Sequence, residues 1–283
     1  MMPPYGWLKR TTMLPRRWAC RPRAALLPFI DRFWGWETAQ PHALPWLLPG
    51  TGSECLFHLG MPLKDSDGRC LPQGHLICPR EQIRPLAPAQ PLNFIAVRFR
   101  AGQLRHFTAL PFQAVADQLL DCRQLWPDAA DTLLAALQCQ RDPKLRLVWL
   151  EQFLWRQLQR HHRPTEQAQD RLIERLYYAP NSRIATVAEE WGWSRRHLER
   201  RFLHAFGQTP KHFARLARLH QTLRQWTLEP ERSGLAVALD RGYSDQAHFI
   251  HDVRALTGKT PGQWRDPLLQ GEHYYLPPTR LPE

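Results

Sequence analysis

Arg195, Arg196, Glu199 and Arg200 lie within six consecutive positions. The guanidinium fork matches the O6/N7 edge of guanine as well as phosphate oxygens, so three arginines and a glutamate in one short segment suit base and phosphate contact on a nucleic acid. Leu198, Phe202 and Phe206 recur four apart, so a helix here turns them to one side and leaves Arg195, Arg196, Glu199 and Arg200 on the other. A charge run is often only a solvated face. The residues before it change that reading: Val187-Ala188, then Gly192-Trp193-Ser194, spell a short apolar helix, a turn and a second helix. Small Ala188 allows close helix crossing, Gly192 can take the left-handed turn conformation, Trp193 plugs the core beneath the turn, and Ser194 can N-cap the second helix. In such a helix-turn-helix unit the start of the second helix enters the major groove.

The unit is repeated. At an offset of 50, Val187-Ala188 and Gly192-Trp193-Ser194 return as Val237-Ala238 and Gly242-Tyr243-Ser244. Beyond the serines the offset is 51, and Leu198, Phe202, Gly207, Thr209-Pro210 and Phe213 return as Phe249, Val253, Gly258, Thr260-Pro261 and Trp264. By the same logic Ser244 is expected to cap the second helix of this copy, with Ala238, Gly242, Tyr243, Phe249 and Val253 as its scaffold. Gln246, His251 and Arg254 then occupy the outer face, where glutamine can read adenine and histidine can bind phosphate or base.

The rest of the chain must position these two units. Its 283 residues suggest two domains. A net charge of +12 points to a polyanionic partner, and 43% hydrophobic residues with 12 Trp, 12 Phe and 6 Tyr exclude wholesale disorder. Charge does not locate the interface, because residues 167–266 carry 16 Lys/Arg against 11 Asp/Glu, while residues 1–166 carry 21 against 13. Proline divides the chain: 18 of 26 lie in residues 1–166. There, turn signals such as Pro49-Gly50-Thr51-Gly52, Asp65-Ser66-Asp67-Gly68 and Pro72-Gln73-Gly74 alternate with short apolar runs at Cys55–Leu59, Leu76–Cys78 and Asn93–Phe99, the pattern of a small β-barrel or sandwich. Arg98 and Arg100 alternate with Val97 and Phe99, as in a half-buried strand. Helical spacing takes over at 128–160, with Leu133, Leu134 and Leu137 in one segment, Leu147, Leu150, Phe153, Leu154 and Leu158 in the next, and a break at Asp142-Pro143. This stripe, with Trp149, is expected to mediate dimerisation or to dock the two domains, the alternative being packing on the protein's own barrel. His161 to Thr165 reads as a linker. The expected division is therefore 1–127, a β-rich domain; 128–165, amphipathic helices and linker; 166–266, the DNA-binding domain; and 267–283, a tail.

Cys20, Cys55, Cys70, Cys78, Cys122 and Cys139 are scattered without a CxxC and read as reduced thiols. Cys55 with His58 and His75 with Cys78 imitate a zinc ligand set, but both pairs fall on expected strands, where residues three apart point to opposite faces. A cupin-type metalloenzyme would need three or more ligands on shared faces. Residues 50–100 offer only His58, His75, Glu54 and Glu81, of which Glu54 and His58 share a face, so no metal, cofactor or enzymatic activity is expected. No apolar stretch approaches the roughly 18 residues of a membrane helix, and residues 1–23 lack the apolar core of a secretory signal; a cytoplasmic protein, on the nucleoid when bound to DNA, is expected.

On these motifs residues 167–266 resemble the DNA-binding domain of the AraC/XylS family, in which a long helix, here about Lys211 to Leu228, joins two helix-turn-helix units. At about 1.5 Å per residue that helix spans about 27 Å, enough to set the recognition helices roughly one DNA turn apart. The family's closing signature stands as Gly258-Lys259-Thr260-Pro261-Gly262-Gln263-Trp264-Arg265. Departures are Gly234 at a usual large aliphatic, Val253 at a usual Phe and His251 at a usual Arg. Residues 15–125 resemble a poorly characterised domain that precedes this module in some AraC-type regulators, through Arg32-Phe33-Trp34-Gly35-Trp36, Leu48-Pro49-Gly50, Glu54 to Gly60 and Ala96 to Gly102. The resemblance implies an α+β two-domain chain, a cupin-like sensory β-barrel with following helices and then an all-α pair of helix-turn-helix units. It further implies a transcriptional regulator whose partners are promoter or operator DNA, a small-molecule effector or protein signal, RNA polymerase and a second copy of itself. A DNA-binding protein without sequence preference is the alternative, separated by competition with unrelated DNA.

Overall fold

A computed structural model of the chain describes residues 16–38, 41, 50–77, 91–112, 119–162 and 164–264. Cys78, Glu81, Arg163, Arg265 and the tail 267–283 lie outside the described residues. The first half is one antiparallel sheet of β1 (Arg16–Cys20), β2 (Ile30–Glu37), β3 (Ser53–His58), β4 (Gly74–Ile77), β5 (Asn93–Phe99) and β6 (Leu119–Asp121), in the order β1-β2-β5-β3-β4-β6. Among the described residues this sheet is open, with β1 and β6 at its edges.

Strand alternation sends the side chains of the sheet to two separate cores. On one face Phe33, Cys55, Phe57, Leu76, Ile95, Val97 and Phe99 are buried against the helices. On the other, Trp36, Leu56, Ile77, Phe94 and Ala96 are buried with Leu63, Leu71 and Leu92. Cys55 and His58 therefore do point apart, while Glu54 and His58 share the second face; Glu54 accepts a 2.8 Å bond from Trp34 Nε1. His58 and His75 stack with ring centroids 5.1 Å apart. No disulfide joins Cys20, Cys55, Cys70, Cys122 and Cys139.

Helices α1 (Cys122–Leu125), α2 (Ala130–Cys139) and α3 (Pro143–His161) cover the first face. Asp142 accepts from Lys144 N and Pro143 opens α3, where its missing N–H costs nothing. Leu150, Leu154 and Leu158 are buried in the protein's own core and Phe153 lies edge-on to Trp126, so most of the stripe is intramolecular packing. Leu145, Val148 and Trp149 remain exposed, on the opposite side of α3.

The helical half comprises α4 (Gln167–Tyr178), α5 (Ile184–Glu190), α6 (Arg195–Phe206), α7 (Pro210–Leu228), α8 (Gly234–Asp240) and α9 (Gln246–Thr257). Its apolar residues divide unequally. Leu172, Ile173, Leu176, Val187, Ala188, Leu198, Phe202, Phe206 and Phe213 join the core beneath the sheet, whereas Leu216, Leu219, Leu223, Trp226, Val237, Tyr243, Phe249 and Trp264 form a second cluster of their own. The first helix-turn-helix unit is thus fastened to the N-terminal half. Gly102 lies at this boundary: its φ is 72°, and a Cβ there would stand 2.5 Å from Ile173 Cδ1.

Candidate nucleic-acid interface

The first unit is built as its residue types require. α5 buries Val187 and Ala188, the chain turns at Gly192 with φ 63°, and Trp193 N donates back to Ala188 O at 2.9 Å. Ser194 then accepts from His197 N at 3.2 Å and caps α6. Trp193 packs against the core half-buried rather than sealed inside it. Along α6, Leu198, Phe202 and Phe206 are buried, and Gly207 ends the helix in the left-handed conformation at φ 78°. Arg195, Arg196 and Arg200 are exposed on the opposite side. Arg195 Nε donates to Glu199 Oε1 at 2.8 Å, an i,i+4 pair. Exposed pairs of this kind contribute only about 0.3–0.5 kcal/mol, so Glu199 holds Arg195 loosely. Arg200 lies 3.3 Å from His197 Nδ1 and, with Arg201 and His204, borders a groove against Thr108–Phe112 of the N-terminal half.

The second unit repeats the plan with one change. Val237 and Ala238 are buried, Gly242 turns at φ 85°, and Tyr243 N donates to Ala238 O at 3.1 Å with its ring 3% exposed. The cap expected at Ser244 is instead Asp245, whose carboxylate accepts from His248 N at 2.8 Å while the Ser244 hydroxyl donates to its other oxygen. The single residue by which the repeat lengthens is this aspartate. Aspartate caps about as well as serine, the helix dipole favours its charge there, and the His248 N–H bond in turn holds its carboxyl below the usual value. Phe249, Val253 and Leu256 face inward, and Gln246, His251 and Arg254 are exposed.

Two linkages absent from the sequence reading fix one unit against the other. Asp252 is buried in α9, where it accepts from Arg215 Nε at 2.6 Å and Arg218 NH2 at 2.9 Å, both on α7. Arg218 also lies over the Tyr243 ring, 4.4 Å from its centroid, and donates to Asn181 Oδ1 at 3.4 Å. Asn181, in the turn before α5, donates through Nδ2 to Arg241 O at 3.0 Å. The only sequence signal was an acid one position inside the outer face of α9, opposite arginines three apart on α7.

Among the described residues no three His, Cys, Asp or Glu side chains gather as a metal site, and no helix is long and apolar enough to cross a membrane. What the geometry offers is two capped helices, α6 with an outer face of arginines and a glutamate and α9 with one of glutamine, histidine and arginine, each anchored by its apolar side to the shared helix α7.

Known proteins carry the same pattern. The helix-turn-helix domain family matches residues 169–267, and the domain of unknown function DUF6597 matches residues 19–121. A protein of Staphylococcus aureus named as an uncharacterized HTH-type transcriptional regulator is 28% identical over 90 residues, 32% of this chain and 12% of its own length; its counterpart in strain MSSA476 matches with the same figures. The chain thus spans about one eighth of the length of these relatives. Among solved structures, ToxT from Vibrio cholerae O395 is similar at 11% identity and a TM-score of 0.44, covering 91% of this chain and 98% of that one. Unsaturated fatty acid-bound ToxT from strain SCE256 gives 12% identity and a TM-score of 0.43 over 91% and 96%. With its paired turn units and the family match over residues 169–267, this part of the chain is similar to the helix-turn-helix domains of proteins named as transcriptional regulators.

Proposed function

We propose that the chain recognises a promoter sequence through α6 and α9 together and that its N-terminal half governs this binding in response to a signal. The observation that carries the reading is the pair of left-handed glycine turns, Gly192 and Gly242, each delivering a capped helix whose outer face is polar while its inner face is sealed on α7. Arg196 and Arg200, four apart and exposed, read bases; Arg195 and Glu199 position the first helix, and Gln246, His251 and Arg254 serve the second half-site. The 19 residues of α7 span about 28 Å, a spacing compatible with adjacent major-groove segments on one duplex face. The sheet and α1–α3 act as the sensory part, a cupin-like domain in this reading, and the exposed Leu145, Val148 and Trp149 of α3 are the surface for a second copy.

Selection of bound duplexes from a random pool by the full-length protein tests this. Enriched sites should show two half-sites about one helical turn apart. Arg196→Ala and Arg200→Ala should each weaken binding by about 1–3 kcal/mol, or roughly 5- to 150-fold, at fixed salt, with relaxed preference at one or two bases. Equal affinity for selected and scrambled duplexes would overturn sequence recognition.

A further inference from the structure

Between the ends of β2 and β5 and the helices α4 and α7 lies a cavity of about 840 Å³, a volume within the range of small-molecule sites. Both halves of the chain wall it: Arg32, Arg98 and Arg100 come from the sheet, and Arg224 and Arg241 from the helices, with Phe29, Ile173 and Tyr177 as apolar surface. Against these five arginines stand three acids, Asp31, Asp170 and Glu174. Asp170 is already engaged by Arg105 and His106.

The two sheet arginines Arg32 and Arg98 lie where water is scarce, and Arg224 reaches the cavity from its exposed rim. The side chains of Arg32 and Arg98 are only 14% and 16% exposed. Arg32 pairs with Asp31 at 2.8 Å, whereas Arg98 stands 3.8 Å from Glu54 and 3.1 Å from His220 Nε2 across the boundary on α7. His220 is buried and stays unprotonated far below its ordinary range, first because burial removes its water and then because Arg98, Arg224 and Arg32 repel a further charge. A neutral imidazole accepts from Arg98 but cancels none of the positive charge. Like charges held together in a partly dry cleft repel strongly, and guanidinium forks are the groups best shaped to satisfy several oxygens of one anion.

We propose that this cavity binds a small organic anion carrying two negative charges, a phosphate monoester or a dicarboxylate, whose charged end bridges Arg98 of the sheet and Arg224 of α7. The proposal rests on the regulator reading and names its effector class. The five lining arginines outnumber the three lining acids, one of which is already engaged by Arg105, and Glu54 meets Arg98 only at 3.8 Å, so a dianion offsets the cleft's positive charge better than a monoanion. The bridged residues belong to different halves, so the bound anion fixes α7, and with it both recognition helices, against the sheet. Anion and DNA affinities are then coupled reciprocally.

Calorimetric titration of the full-length protein with inorganic phosphate, succinate and acetate, in low-chloride buffer, tests the site. Phosphate or succinate should bind saturably at one site and acetate at least about tenfold more weakly; which dianion is tighter distinguishes a phosphate ester from a dicarboxylate. Arg224→Gln, at an exposed position, and Arg98→Gln should each weaken the dianion by about tenfold or more. Arg196→Gln on α6 should leave it unchanged. No saturation by either dianion below about 10 mM, wild-type affinity in Arg224→Gln, or loss of binding in Arg196→Gln would overturn the proposal. Arg224→Gln without anion should select the same DNA sites as the parent. Loss of DNA selectivity in the parent itself would sink the regulator reading and leave the cavity standing.

Discussion

Gly192 and Gly242 occupy the same place in the two turns, yet alanine should cost different amounts at each. Both have positive φ, 63° and 85°, so either substitution places a side chain in the left-handed region at about 1 kcal/mol. Around Gly192 nothing lies within 4 Å of the added Cβ. At Gly242 the Cβ would fall on Asn181 Nδ2, closer than atoms can stand, so that amide must swing away. It then gives up its bond to Arg241 O and the one it accepts from Arg218, exposed bonds worth together about 1 kcal/mol. Gly192→Ala should therefore cost about 1 kcal/mol and Gly242→Ala about 2. Urea unfolding of both variants, and of each in an Asn181→Ala background, measures this. With Asn181 shortened, Gly242→Ala should fall back to about 1 kcal/mol, a coupling of about 1 kcal/mol that Gly192→Ala lacks. Equal costs for the two alanines, or a coupling within the roughly 0.3–0.5 kcal/mol of simple additivity, would refute the claim that Asn181 braces the Gly242 turn.

Two further outcomes are expected. Burial, with a smaller contribution from His75, lowers the His58 pKa from 6.5 to about 3, so between those values the unfolded chain takes up a proton that the folded chain refuses. Stability is full above pH 6.5 and drains as pH falls through this window, by up to about 1.4 kcal/mol per pH unit; His58→Leu should flatten the change in urea midpoint between about pH 7 and 5, and an unaltered pH dependence would clear His58 of the effect. Asp252→Asn removes the charge that two α7 arginines share. Because those side chains are 31% and 16% exposed, the cost should be about 2 kcal/mol rather than the 3–5 of a fully buried pair. Operator footprints should then lose the half-site read by α9 first, and full protection of both half-sites would contradict the role given to Asp252.

The parts of the molecule written in local periodicity were legible. The repeat displayed both turns, because a left-handed residue, a close helix crossing and a cap leave Gly, Ala and Ser at fixed separations; β3, β4 and β5 showed as apolar runs between turn residues. The strand β2 did not, since Gly35 interrupts it, and only the fold explains that glycine: a Cβ there would stand 2.5 Å from the Trp18 ring on β1. The cap of α9 was misplaced by one residue because serine in the first copy and aspartate in the second perform the same task at neighbouring positions. Least legible were the pairings across long separations, Asp252 with α7 and Arg98 with His220, whose partners lie 34 or more residues apart and leave no periodic trace.

Two departures from the family pattern, Gly234 and Val253, acquire a reason when the two units are compared position by position. In the first unit Leu176 on α4 and Ile184 on α5 share the space at the start of the motif. Fifty residues on, those places hold Trp226 and Gly234, and a Cβ on Gly234 would stand 2.8 Å from the Trp226 ring. A large residue has moved from one wall to the other, and Trp226 Nε1 finds Arg232 O at 3.2 Å as the partner its indole needs. The same exchange recurs deeper in the unit. Phe202 packs edge-on against Phe213 at 5.2 Å in the first copy, whereas the second pairs the smaller Val253 with the larger Trp264, both buried. Cores tolerate substitutions that conserve total volume far better than single changes in size, so each departure is half of a compensated pair. The second unit thus closes its core with different residues from the first, and Phe249, Val253 and Leu256 seat α9 on it.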